Sequence, residues 1–347
     1  MGPRALMLLM TLAACGSVAV PGTDGGDRPD AASTAPDAAP GAPDAAPPCG
    51  TLYVTNFGGG GVEIFDCLAT RDDTRVGGDR VLAGAATGLT FGEYAGIAVD
   101  PGRDLLYVSE HGDGTVRIWE HASTISGDVA PDRVLTTGAG YQQGLALDVT
   151  HDRLYVADDN FNPNQILVYA GAHAVSGAAT PVAVISIADS FQLSIDEVHD
   201  RLYVAMGTAV AVYDGASTIT GTGATAARTF APATSTNFQG VAIDVAHDVA
   251  YVSERAAAGT IYAVPGASTA SGTVAPTRTI VGTTASEHLT TAEQVQIVDD
   301  RLYTVNDSAS RVWIYDPASA ASGAVAPARA ILLGLHAGQA DGFLFVP

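Results

Sequence analysis

Short apolar runs alternate with turn residues along most of the chain, and one apolar run recurs six times. Leu52-Tyr53-Val54, Leu106-Tyr107-Val108, Leu154-Tyr155-Val156, Leu202-Tyr203-Val204, Ala250-Tyr251-Val252 and Leu302-Tyr303-Thr304 head equivalent segments, their tyrosines 54, 48, 48, 48 and 52 residues apart. In the second unit the pattern predicts four strands, Gly96–Asp100, Leu105–Glu110, Thr115–Glu120 and Arg133–Thr137. Pro101-Gly102-Arg103-Asp104 and Gly112-Asp113-Gly114 supply the intervening turns. The third strand usually ends in a large ring (Phe65, Trp119, Tyr169, Tyr213, Tyr315), placed to pack between adjacent sheets. A period of about 40 to 50 residues made of short strands marks the blades of a β-propeller.

The ends of the repeat region predict how the ring closes. The first unit begins at its second strand, whereas Asp341-Gly342-Phe343-Leu344-Phe345-Val346-Pro347 is a first strand with no successor. Pairing this segment into the first blade gives an all-β, six-bladed propeller over residues 49–347 without open edges.

Before residue 49 the pattern changes twice. Arg4 and the apolar run Ala5–Ala14 read as a signal peptide over residues 1–14, too short to span a bilayer. It ends in Leu12-Ala13-Ala14-Cys15-Gly16, which resembles the lipobox of bacterial lipoproteins. That resemblance implies cleavage before Cys15, lipidation of its thiol, and, with Gly16 next, sorting to the outer membrane of a Gram-negative cell. The plainer reading is an ordinary secretory signal. Residues 15–48 are rich in Ala, Pro and Asp, with no apolar period, and predict a disordered tether. At about 3.1 Å per residue it would reach on the order of 100 Å.

Two cysteines remain. Cys49 and Cys67 flank the strand-like runs Thr51–Thr55 and Val62–Asp66, joined by Phe57-Gly58-Gly59-Gly60-Gly61. A hairpin there sets the two thiols opposite each other, so a structural disulfide is expected in an exported protein. A metal pair is the alternative, and two thiols without nearby histidine make a poor one.

Charge sharpens the class. The chain of 347 residues has 37 acids against 16 bases, all Arg, for a net charge of −21. Five acids and two arginines lie before residue 49, which leaves 32 acids, 14 arginines and −18 on the propeller. No nucleic-acid partner is expected, because phosphate neutralisation needs clustered cations.

Tyr53-Val54-Thr55-Asn56 resembles the signature of YVTN-type propeller repeats. Leu154-Tyr155-Val156-Ala157-Asp158 with Asn164-Gln165-Ile166-Leu167-Val168-Tyr169 is similar to an NHL repeat. The resemblance implies the fold; such propellers include binding scaffolds, lyases and lactonases.

Repetition acts as an internal control on candidate chemistry. His151-Asp152-Arg153, His199-Asp200-Arg201 and His247-Asp248 recur at the turn between first and second strands, which assigns them to turn hydrogen bonding rather than metal. The pattern Ser-Gly-x-Val-Ala-Pro-x-Arg (Ser126–Arg133, Ser271–Arg278, Ser322–Arg329) is a repeated third-to-fourth-strand loop. Residues that differ between blades lie in the loops entering the first strands and in the second-to-third loops, which converge on one face. Glu93, Tyr94, His111, Gln143, Asp158, Gln239, Glu254, Glu293, Asn306 and Asp341 form the candidate ligand-binding face. Solvated loop residues around a water-filled channel are the plainer alternative.

The leading expectation is a lipid-anchored cell-envelope scaffold that binds an envelope protein, glycan or small molecule, with no cofactor. A metal-assisted hydrolase, lactonase or lyase is the second reading, with Ca²⁺ on Glu93, Glu293, Asp341 or Glu254. Calcium-dependent lactonase propellers use a mouth carboxylate with asparagines, a set not matched here residue by residue. The sequence carries no Gly-x-Ser-x-Gly elbow, His-x-x-x-His pair or Walker loop. The third reading is a purely structural envelope protein.

Overall fold

The computed structural model describes residues 49–56, 58–91, 95–138, 140–159, 164–232, 237–256, 259–283, 289, 292–306, 309–335 and 340–347. The predicted signal peptide, Cys15 and the tether lie outside the described residues. Six antiparallel sheets form a ring, and the helical pieces among the described residues are four three-residue 3-10 turns. Among the described residues, no helix is long and apolar enough to cross a membrane.

Blade 2 follows the sequence reading closely, with strands Ile97–Asp100, Leu105–Glu110, Thr115–Glu120 and Arg133–Thr136. Blades 3 to 6 start at Gln142, Leu193, Phe238 and Ala292. Blade 1 is completed by the C-terminal strand Ala340–Val346, which pairs antiparallel with Thr51–Asn56 (Leu52 opposite Phe345, Val54 opposite Phe343). The ring is therefore closed as expected. The Cys49–Cys67 disulfide, with Cα atoms 4.2 Å apart, ties the two central strands of that composite blade together.

Each of the six apolar clusters lies between two neighbouring blades, so the core consists of seams rather than one centre. Tyr107, Ile118 and Leu135 of blade 2, for example, pack on Leu154, Val156 and Leu167 of blade 3. The third-strand rings sit in these seams as predicted: Phe65, Trp119, Tyr169, Tyr213 and Tyr315 are all buried. Polar ends of the repeat tyrosines also cross them. The hydroxyls of Tyr53 and Tyr107 donate to the carbonyls of Ala122 and Ala172 in the next blade, each at 3.1 Å. Such a partner offsets the cost of burying a phenol; the buried hydroxyls of Tyr155 and Tyr169 have none.

The third-to-fourth-strand loop turns out to be more than a connection. In blades 4, 5 and 6 it forms a two-residue strand, Gly221–Thr222, Gly272–Thr273 and Gly323–Ala324, that pairs parallel with the outer strand of the preceding blade. Bridges Leu82 to Gly127, Leu135 to Gly177 and Val76 to Leu332 do the same at the other three seams. Every outer edge is thus covered by its neighbour, which removes the exposed strand edges a propeller would otherwise present. Gly recurs at this site because the backbone there has positive φ, +70° at Gly221 and +67° at Gly272.

The repeated Asp of the first turn has a structural task in five blades. Asp104, Asp152, Asp200, Asp248 and Asp300 all adopt left-handed backbone, φ +53° to +57°. Each carboxylate accepts the N–H of Ser123, His173, Ser217, Ser268 or Ser319 at 2.7–3.0 Å, anchoring the turn after the third strand. The imidazole Nδ1 atoms of His151, His199 and His247 each lie 2.8 Å from the aspartate three residues earlier. Turn hydrogen bonding is what these residues do.

Candidate functional site

The first strands line the propeller axis and pack unusually close at one end. A methyl group at Gly144 would stand 2.3 Å from the Phe191 carbonyl oxygen, so the two blades approach there only because no Cβ intervenes. Below this constriction an axial cavity of about 250 Å³ is lined by all six first strands, including Ile97, Leu145, Ile195, Val241, Ile297 and Leu344. Gln143, Gln239, Glu293, His111, Asp158 and Glu254 do not line it.

Four of the predicted residues fall instead at a repeated irregularity of the first strands. The first strands of blades 1, 3, 5 and 6 each carry a β-bulge at the same level. Asp341, Gln143, Gln239 and Glu293 fall inside these bulges. A bulge inserts one extra residue and re-aims a side chain out of the ladder. Asn306 ends the second strand of blade 6, while Glu93 and Tyr94 lie outside the described residues.

The described side chains gather in two groups. In blades 5 and 6, Arg255 Nε stands 3.3 Å from a carboxylate oxygen of Glu293. Asn237 Nδ2 donates to the Arg255 carbonyl at 2.7 Å, and Gln239 Nε2 donates to Asn237 Oδ1 at 3.0 Å. Glu254 accepts the Tyr262 hydroxyl at 2.7 Å, and burial together with this carboxylate pushes that phenol up to about 12.

The second group lies at the blade 2–blade 3 seam. The His111 ring meets Tyr141 edge-on, centroids 4.9 Å apart and planes at 64°. Tyr141 is 40% exposed, whereas His111 is buried. The Tyr141 N–H and Gln165 Nε2 donate to the two oxygens of Asp158 at 3.3 and 2.9 Å. Gln143 Nε2 donates to Asp159 Oδ2 at 3.0 Å. Burial, reinforced by the nearby charges of Asp189 and Asp158, pushes the Asp159 carboxyl up to about 6. Burial also raises Asp158, against the opposing effect of its hydrogen bonds. Asp159 Oδ1 is buried without a hydrogen-bond partner.

The sequence reading therefore picked out three of this group, His111, Gln143 and Asp158, and passed over Tyr141 and the special state of Asp159. The signal for Tyr141 was present in the loop Gly140-Tyr141-Gln142-Gln143, where an aromatic enters a first strand among amides. Among the described residues, the trio of acid and imidazole groups whose ligand atoms all lie within 4.8 Å is Asp148, His151 and Asp200. That trio sits on the opposite face and belongs to the repeated turn hydrogen bonds.

No protein-family model matches the chain, and no curated protein does. By shape, 1109 chains of solved structures match. One, from the crystal structure of a nidogen/laminin complex, superposes with a TM-score of 0.57 at 13% identity, covering 86% of this chain and 98% of that one. At that identity the likeness speaks for the propeller fold alone.

Proposed function

We infer that the chain is a lipid-anchored cell-envelope propeller that serves as a binding scaffold, and that it binds on the rim beside Tyr141. The observation that carries the binding role is Asp159, a carboxylate 6% exposed with one oxygen unpaired, next to a half-exposed aromatic ring. An orphaned carboxylate oxygen beside a partly exposed ring offers a place for a ligand's donor. The anchoring rests on Leu12-Ala13-Ala14-Cys15-Gly16 and the Asp- and Pro-rich tether, which would hold the acidic propeller clear of the membrane. An envelope protein, a glycan or a small molecule is the expected partner.

A thermal-shift screen of metabolites and glycans against the full chain tests the binding role, run in parallel on Asp159→Asn. Ligands that raise the melting temperature of the parent and not of the variant support it; shifts that ignore the substitution overturn it. Cys15→Ser should move the protein from the membrane to the soluble fraction, and continued membrane retention would rule out lipid anchoring through that thiol.

The hydrolase reading gains one observation: a carboxyl near 6 suits a general base. It predicts ester or lactone turnover whose rate rises through pH 6 and is lost in Asp159→Asn.

A further inference from the structure

A cavity of about 390 Å³ lies at the seam between blades 6 and 1, beside the first turn of blade 6. Its lining includes three guanidinium groups, Arg71, Arg301 and Arg329, and one carboxylate, Asp316. Cations outnumber acids among these lining groups, although the propeller as a whole carries −18.

Repetition separates what is structural here from what is particular to blade 1. In blades 3, 4 and 6 the residue after the 3-10 turn is apolar, Val175, Ile219 and Ala321, whereas in blade 1 it is Arg71. The Arg71 side chain is 2% exposed. Its Nη1 donates to Asp79 at 2.9 Å and its Nη2 to the carbonyls of Arg75 and Gly77, while its Nε is buried without a partner.

Asp73 is the second particular. In blade 5, Arg278 Nη2 donates to the Tyr251 hydroxyl at 3.1 Å. The corresponding Arg329 of blade 6 turns instead to Asp73, through Nε at 2.9 Å and also through Nη2, and its Nη1 donates to the Leu68 carbonyl at 3.0 Å. That carbonyl stands where Ala122 and Ala172 accept a tyrosine hydroxyl at other seams. The Tyr303 hydroxyl is left without a partner among the described residues. Burial pushes this phenol up to about 12, so it is a donor at neutral pH. Arg301 uses Nε on Asp316 at 2.9 Å and leaves its Nη1–Nη2 edge open. Arg301 and Tyr303 alternate on one strand, and Ile314 pairs opposite Tyr303, so all three project from the face turned to blade 1.

The unused groups are donors, and they call for an acceptor. A metal ion is repelled by the guanidinium groups. An inorganic anion would pair the donors but leave Leu68, Ile314 and Phe345, which also line the cavity, uncovered. A carboxylate on an apolar body meets both demands: the open edge of a guanidinium matches its two oxygens, and the volume lies within the range of small-molecule sites.

We propose that this cavity binds a small organic carboxylate, its head on Arg301, Tyr303 and Arg71 and its apolar body against Leu68, Ile314 and Phe345. The site shares no residue with the rim beside Tyr141, so the two readings stand or fall separately.

Titration calorimetry on the full chain tests it with hexanoate and benzoate, each beside its neutral amide. Saturable binding of at least one carboxylate is expected, weakened tenfold or more in the amide and several-fold by Arg71→Met and by Tyr303→Phe. Equal affinity for the amide overturns the anion assignment. Displacement by an equal concentration of inorganic phosphate overturns the organic carboxylate, and failure of both carboxylates to bind overturns the site. Tyr303→Phe removes only a hydroxyl that has no partner, so it keeps the test valid should Arg71→Met, which gives up the bond to Asp79, fail to fold. Carboxylate binding that ignores Tyr303→Phe places the ligand elsewhere and overturns the proposal.

Discussion

Gln192, at the entrance to the first strand of blade 4, donates through Nε2 to the carbonyl oxygen of Val295 in blade 6, 2.8 Å away. Its Oε1 accepts the N–H groups of Val241 in blade 5 and Val295, each at 3.0 Å. One amide side chain thus joins three blades at the axis, where Gly240 leaves it room. Gln192→Ala leaves two backbone N–H groups and a carbonyl without partners, at a cost of about 2–4 kcal/mol. Urea unfolding should show the lower midpoint with little change in slope.

The composite blade 1 depends on two fastenings, the strand Ala340–Val346 and the Cys49–Cys67 disulfide. Their sequence separation is 18 residues, which in the loop-entropy account corresponds to about 3 kcal/mol. Reduction, or Cys67→Ser, should lower the melting temperature by several degrees while leaving a folded ring. Deletion of residues 342–347 removes the partner of Thr51–Asn56 and exposes Leu52, Val54 and Phe65, so it should abolish cooperative unfolding. An unchanged melting curve after deletion would refute the closure as the source of stability.

The contrast between what was legible and what was not follows from what a repeat encodes. Leu-Tyr-Val and the third-strand rings are read directly, because each must fill the same seam six times. The closing strand is read from an absence at Leu52 and a surplus at Phe343. The short strand that latches each blade to the preceding one was missed because Gly221–Thr222 and Gly272–Thr273 are two residues long and pair with a different blade. The rim was only half legible. Polar residues at the ends of the second strands vary in the sequence, yet several satisfy local bonds, as Asn56 does with Glu63 at 3.3 Å. Whether an acid is paired depends on groups from three segments, and nothing in residue type distinguishes Asp158 from Asp159.

The latch yields its own test. Gly272 has φ +67° and pairs with Phe230 on the outer strand of blade 4. Open space surrounds its missing Cβ, so substitution acts through backbone conformation rather than collision. Gly272→Val should cost about 1–2 kcal/mol, while the serine before it tolerates change. Hydrogen exchange should locate the loss: the Val274 amide, bonded to the Ala231 carbonyl at 2.9 Å, should lose protection before the inner strands do. Uniform acceleration across the ring would show that the latch is not a separate stabilising unit.

Asp159 gives stability a pH dependence whose sign can be worked out. Its carboxyl titrates near 6 in the folded state, above its ordinary value of 3.8, because burial and the charges of Asp189 and Asp158 oppose ionisation. The folded chain therefore holds this proton more tightly than the unfolded one. Its contribution is fully present below pH 4 and is lost as pH rises through 6, where burial of the charge opposes folding. Across that window the loss is about 3 kcal/mol. Asp159→Asn keeps an acceptor for Gln143 and removes the ionisation, so at pH 7 the variant should be the more stable protein. Below pH 4 the two should converge. Urea midpoints measured from pH 4 to 8 in both proteins test the assignment: a parent and variant separated by a constant amount would show that Asp159 does not titrate in this range.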